Sequence, residues 1–509
     1  MLSLQRSRNL KIYERFSGLI SAAFMIFNRI IGTGIFSTPS VILRSSGSVG
    51  LALLMWVIGA AVAAAGTSVY VELGTGLPRS GGEKTYMEYI YRKPKFLAPC
   101  AYASYAIFIG WASANGIAFG EYMLSALSLP LNWYNARLIG ILCLAFTFTL
   151  HTFFPRTGIR LQNSLGFFKL VVLVGISVSG LFHVLGIRGF ELQPGVEVPD
   201  NFRWNSLWEG TTSDANAIVT GLFSVMWAFV GYHNANYVLS EVRDPVRTIK
   251  LAAPLALASV TAVYLCVNLA YFAVVSKNDI LGSGRTVAAL FFGNLFGEGT
   301  RRVLSLIIAC STLGTVLVIL FAYSRVIQDL GREGILPYSP IFASSKPFGS
   351  PLAGLATQTI VSSIIILASP PGDAYLFMLN MSSYSFVIFN TSISAGLLLL
   401  STASFKSYQW NPPFRAYKSV VLAFFLSNLF LLFVPLVPPV RGSVVYQHLP
   451  YWLHSLVAFS VSFIGVCYWY VRFRLLPKRG GYILSRRWRM GDDGISRGEF
   501  VKTPKHEMS

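Results

Sequence analysis

Apolar runs long enough to cross a bilayer dominate this chain and leave few folds open to it. About 18 apolar residues in a row, rising 1.5 Å each as a helix, span the ~30 Å hydrocarbon core. Twelve runs of that kind, some of them soft-ended, occupy residues 17–41, 49–71, 96–125, 138–154, 163–184, 214–240, 251–275, 303–323, 352–369, 375–401, 417–437 and 451–471. Inside lipid the backbone must satisfy its own hydrogen bonds, which leaves helices. The 509 residues are 54% hydrophobic and 12% charged, a balance that excludes a soluble multidomain enzyme. The pattern predicts an all-α polytopic membrane protein of about twelve transmembrane helices.

The charges then report orientation. A formal net charge of +20 would suit nucleic acid if the basic residues formed a patch on a soluble domain. Here they sit between spans, so no nucleic-acid partner is expected. Arg6, Arg8, Lys11 and Arg15 precede the first span, Arg79, Lys84, Arg92, Lys93 and Lys95 fill the second loop, and Arg156, Arg160, Arg243, Arg247, Lys250, Arg325, Arg332 and Lys346 fill later even-numbered loops. The fifth loop is acidic, with Glu191, Glu197, Asp200 and Glu209. The positive-inside rule then places both termini in the cytoplasm. The expected organisation is a cytoplasmic segment 1–16, a transmembrane domain 17–475 and a basic cytoplasmic tail 476–509 whose composition predicts disorder. Five cysteines, Cys100, Cys143, Cys266, Cys310 and Cys467, fall in or beside spans and are expected as small apolar fillers. The "SGGEK" run at 80–84 reads as a turn-rich cytoplasmic loop.

Two spans violate the lipid rule. The first contains "NRIIGTGIFSTP", with Arg29 and a Gly32-Thr33-Gly34 interruption; the sixth contains "MWAFVGYHNANYVLSEV", interrupted at Val230-Gly231 and followed by His233. The first and the sixth lie an odd number of spans apart, so the two cross in opposite directions. That offset predicts two five-helix repeats, about 17–187 and 214–402, related by an axis in the membrane plane, with helices 11 and 12 at about 417–471 outside the repeat. Irregular backbone at bilayer depth is tolerated where it is buried in protein or lines a cavity. A helix restarting after the first break offers the N–H groups of Thr33, Gly34 and Ile35 to an anion. Half-helices ending near Ile30 and Trp227 offer carbonyls to an ammonium. A zwitterion needs both. The competing reading is that these glycines merely kink or pack the helices.

At these residues the chain resembles the amino acid-polyamine-organocation superfamily, within it the L-type amino acid transporters, and most closely the fungal high-affinity methionine permeases. "NRIIGTGIF", "ELGTGLPRSGGEKTYMEYIYRKPKF", "WAFVGYHNANYVLSEVRDPVRTI" and "GREGILP" carry the resemblance, in order and at matching topological positions. It implies that Gly32, Thr33 and Gly34 bind the substrate carboxylate, that carbonyls of Ile30, Trp227 and Val230 hold the ammonium, and that Trp227 stands at an aromatic gate. Ile35, Gly231 and His233 complete the candidate substrate site, although His233 replaces an asparagine of many L-type members. Lys169 in "GFFKLVVLVG" would stand where sodium-coupled relatives bind a cation. A lysine at a span centre costs about 2.5–3.5 kcal/mol on insertion scales, so it marks function or a buried partner. Two roles are open to it: linking proton or conformational change to transport, or tying the fifth helix to first-span carbonyls. Arg29 is a gate candidate, pairing with Glu241 or Glu72, or else a static anchor. His233 is either pH-sensing or neutral and bonded to neighbouring backbone.

The function expected is secondary active transport of neutral L-amino acids, methionine or similar, by alternating access and coupled to protons, at the plasma membrane. An obligate exchanger and a membrane sensor with little flux are the competing classes. The loop at 126–137 lacks the cysteine that joins heteromeric members to a glycoprotein, so no disulfide-linked heavy chain is expected. No nucleophile-base set, metal-ligand spacing or phosphate loop is present in the sequence, so no enzyme activity, metal or cofactor is expected.

Overall fold

Long apolar runs become long helices. The computed structural model describes residues 23, 26–27, 29–237, 239, 242, 244–283, 287–439, 445–490 and 496–504. Of the first span, the described residues 23, 26–27 and 29–30 are helical, 31–33 are irregular, and the chain continues as α1 (Gly34–Ser37) and α2 (Pro39–Ser46). Pro39 opens α2 at a position where no N–H is required, and Thr38 Oγ1 donates to Gly34 O at 2.7 Å across the joint. There follow α3 (Val49–Gly76), α4 (Glu83–Ile90), α5 (Leu97–Phe108), α6 (Ser113–Ala126), α7 (Trp133–Phe153) and α8 (Pro155–Val184).

The second half begins with α9 (Ala215–Phe229), α10 (Pro245–Val274), α11 (Val287–Phe296) and α12 (Glu298–Arg332). It ends with α13 (Leu352–Ala368), α14 (Ala374–Leu400), α15 (Lys418–Phe433) and α16 (Leu453–Tyr470). Among the described residues nine helical segments are long and apolar enough to cross a membrane, one of them formed by α5 and α6 together (Leu97–Ala126); α9, α11 and α13 are apolar but shorter. The chain is a polytopic helical membrane protein. Large apolar side chains such as Leu142, Phe167, Ile360 and Phe463 are exposed on the outer faces of these helices, as a lipid solvent allows.

Two expectations are corrected, and one span carries a break that its hydropathy hides. The third run, read as one span over 96–125, is one apolar crossing segment, Leu97–Ala126, made of two helices that break at 109–112, where Gly110 takes φ +61°. The break is not the scattered polarity of the other two: Trp111 stacks on Tyr323 of α12 with centroids 4.7 Å apart, so the interruption is filled by an aromatic ring and reads as apolar sequence. Residues 287–296, assigned to a loop, form α11.

The tail, expected to be disordered, is an antiparallel hairpin of β1 (Tyr482–Met490) and β2 (Ser496–Pro504) in register Tyr482↔Pro504 to Met490↔Ser496. It departs from the all-α expectation. Phe500 packs between Phe96 and Phe473, each with centroids 5.0 Å away, and Arg486 reaches Glu88 at 3.1 Å. A Cβ at Gly334 would lie 2.4 Å from Gly498 O, so hairpin backbone rests directly on the "GREGILP" turn.

Candidate functional site

The two broken spans meet. Ile31 N–H donates to Phe27 O at 3.0 Å, and helical pairing then lapses until Phe36 and Ser37 bond to Thr33 O. The N–H groups of Thr33, Gly34 and Ile35 have no backbone acceptor among the described residues. Thr33 does not cap its own helix; its hydroxyl donates to Asn115 Oδ1 of α6 at 2.8 Å. A Cβ on Gly34 would lie 2.6 Å from Ala228 Cα, so α1 touches α9 backbone to backbone.

On the other side, α9 stops at Phe229, Val230 turns out at φ −57° and ψ 124°, and Gly231 takes φ +132°, where a side chain is strained. A Cβ there would also lie 2.8 Å from Arg29 Cγ and 3.1 Å from Arg29 C. Each glycine lets one break approach the other's backbone.

Between the breaks lies a cavity of about 20 Å³, room for about one water molecule. Ile30, Gly32, Thr33 and Gly34 form one wall, Trp227 and Val230 another, and Asn115, Thr315 and Arg29 complete it. Six of the nine residues proposed for substrate therefore line one space. Ile35 and Gly231 are not among its lining residues. His233 points elsewhere: its ring lies against Phe386 at 4.6 Å and Tyr70 at 5.4 Å, and its Nε2 is 3.8 Å from Glu83 Oε1. The expected bond from His233 to neighbouring backbone is not formed among the described residues, and Nδ1 has no hydrogen-bond partner there.

Orphan carbonyls of the breaks are held by side chains from intact helices. Tyr264 Oη of α10 is 3.1 Å from both Ile30 O and Ala228 O, and its one proton serves one of them at a time. Lys169 Nζ of α8, fully buried, donates to Ile31 O at 2.9 Å and Thr315 Oγ1 at 2.8 Å. Gly314 leaves room for the lysine stem, since a Cβ there would lie 3.2 Å from Lys169 Cε. Arg29, also buried, hydrogen-bonds Tyr323 and lies beside Tyr237 and Tyr105. Two basic side chains thus flank one break, Arg29 at the cavity and Lys169 on the Ile31 carbonyl.

The gate pairing is corrected in part. Glu72 accepts from Trp410 Nε1 at 3.0 Å and from the Ala416 N–H at 2.9 Å, which ties α3 to the segment before α15 and leaves no ion pair with Arg29. Glu241 lies outside the described residues. Asn115, Tyr264, Thr315 and Glu83 escaped the sequence reading. The first three carry a signal that was available, polar groups inside apolar spans; Glu83 sits among loop charges and carries none.

Comparison with known proteins gives the family. The family profile "Amino acid permease" matches residues 18–460. The yeast (Saccharomyces cerevisiae) high-affinity methionine permease is 44% identical over 491 residues, covering 96% of this chain and 84% of the relative. The yeast low-affinity methionine permease is 29% identical, covering 96% of this chain and 88% of the relative. The human Asc-type amino acid transporter 1 is 30% identical, covering 75% and 71%. These relatives are transporters and not enzymes. With a family match across most of its length and broken helices framing a central cavity, the chain belongs to the amino acid permease family and is an integral multi-pass membrane protein.

Proposed function

We propose that this permease carries neutral L-amino acids, methionine foremost, by alternating access coupled to protons. The observation that carries the reading is the meeting of two helix breaks, with the N–H groups of Thr33, Gly34 and Ile35, which have no backbone acceptor among the described residues, on one side and the carbonyls of Ile30, Trp227 and Val230 near them. A carboxylate suits the first set and an ammonium the second. Arg29 at the cavity disfavours cationic side chains, and no carboxylate lines the cavity among the described residues. Methionine enters from the names of the two yeast relatives. The cavity is far smaller than methionine, so its walls must move, and the broken segments are the parts with least internal hydrogen bonding.

The topology that fits is twelve crossings, with repeats at about 17–187 and 214–402 and two further helices at about 417–471, both termini cytoplasmic, in the plasma membrane. Lys169 takes the place of a coupling cation at the first break. The chain works without a disulfide-linked partner, as residues 126–137 contain no cysteine.

Radiolabelled methionine uptake in a transport-deficient host tests this, with unlabelled competitors, at two pH values and with a protonophore. Saturable, acid-stimulated, protonophore-sensitive influx supports it. Binding without flux supports a sensor, and influx that requires internal amino acid supports an exchanger.

A further inference from the structure

A second buried polar centre lies outside the cavity. Glu83, the first residue of α4, is 1% exposed. Its carboxylate accepts from Tyr70 Oη at 3.0 Å and Tyr102 Oη at 3.3 Å, and also from Tyr237. Burial pushes the carboxyl above its usual range, and hydrogen bonds from its own backbone, Tyr237, Tyr70 and Tyr102 only partly oppose that shift. His233 Nε2, 3.8 Å from Glu83 Oε1, is the nearest base.

The groups facing the carboxyl from each packed element are phenols: Tyr70 of α3, Tyr86 of α4, Tyr102 and Tyr105 of α5, Tyr232 and Tyr237 after the sixth-span break, and Tyr323 of α12. Arg29 is the fixed cation of the region, reaching Tyr323 and Tyr237, one phenol removed. Glu83 and His233 are therefore the carboxyl and the imidazole of this cage, close enough for a proton to be shared between them.

Their placement links them to the substrate. His233 follows Gly231 by two residues, and Val230, the neighbour of Gly231, lines the cavity. Whatever repositions Val230 changes the separation of His233 from Glu83, which is anchored on a different element.

We propose that Glu83 and His233 together carry the proton that drives uptake. This assignment rests on the proton-coupled reading above. Loaded, the pair holds one proton more than a Glu83 carboxylate beside neutral His233. On release that proton passes to water on the cytoplasmic side, and its bonding electrons remain on the carboxylate or the imidazole. No other co-reactant is needed. Lys169, on the far side of the first break, then keeps the role of conformational link.

The full chain in proteoliposomes tests the assignment, with Glu83→Gln and His233→Asn compared to wild type. Coupling to one proton lets a gradient of one pH unit accumulate methionine about ten-fold. The expected result is that wild type accumulates, while both variants only equilibrate methionine across the membrane and still catalyse counterflow exchange. A purely structural role would lower exchange and accumulation together. If Glu83→Gln lacks exchange, His233→Asn and Glu83→Asp decide, with coupling expected to be lost in the first and retained in the second. Variants that accumulate like wild type overturn the assignment, and so does loss of exchange in both. A wild type that exchanges but never accumulates overturns the proton-coupled reading itself, an outcome distinguishable from the others.

Discussion

A methyl group at Gly34 would sit 2.6 Å from Ala228 Cα and 2.7 Å from its Cβ, so Gly34→Ala must push α1 away from α9 at the cavity wall. Overpacking of this kind costs about 1–3 kcal/mol. Methionine uptake at matched surface expression should fall by about five-fold or more; uptake within two-fold of wild type would contradict the close approach. Thr33→Val keeps the shape and removes the proton donated to Asn115 Oδ1. An unpaired buried acceptor costs ~1–3 kcal/mol, so transport should drop by five-fold or more, measured in the same assay. Gly32, Thr33 and Gly34 were legible in the sequence because glycine pairs inside an apolar run have few explanations. Asn115, Thr315 and Tyr264 were not singled out, since one polar residue in a span is common and its partner is set by packing between helices distant in sequence.

At the scale of elements, the two breaks proposed to hold substrate were readable and the third was not. Polar residues after Val230-Gly231 betray the sixth-span break, whereas the third-span break at 109–112 is covered by Trp111 stacked on Tyr323 and leaves the hydropathy intact. Gly231→Ala places a side chain at φ +132° and against Arg29, a strain of order 1–3 kcal/mol that should lower transport and leave the protein at reduced surface levels. Lys169→Met removes the donor to Ile31 O and Thr315 Oγ1. Proton-driven uptake should then fall about ten-fold or more while counterflow persists; unchanged proton coupling would sink a linking role for this lysine. Glu72 shows the opposite failure of sequence reasoning: a charge at a span end looked like a gate and serves as an acceptor for Trp410 and Ala416.

For the whole molecule, hydropathy and charge alternation expose the membrane architecture because each span must satisfy its backbone alone. The tail hairpin is invisible to such reasoning, as its order depends on contacts with surfaces built elsewhere: Phe96, Phe473, Glu88 and the Gly334 turn. Phe500→Ala should cost ~1–3 kcal/mol, less than the ~3–5 kcal/mol of a fully buried phenylalanine. Limited proteolysis after Arg486 or Arg487 should accelerate, and an unchanged rate would mean the hairpin is held by other contacts.

The central claim is that one molecule is gripped at both ends between the two breaks. Competition against radiolabelled methionine uptake by analogues lacking one end tests it most directly. Methioninol, without the carboxylate, and the deaminated acid, without the ammonium, should each fail to compete at concentrations where methionine itself blocks uptake. Inhibition by either analogue with a potency equal to methionine would contradict it.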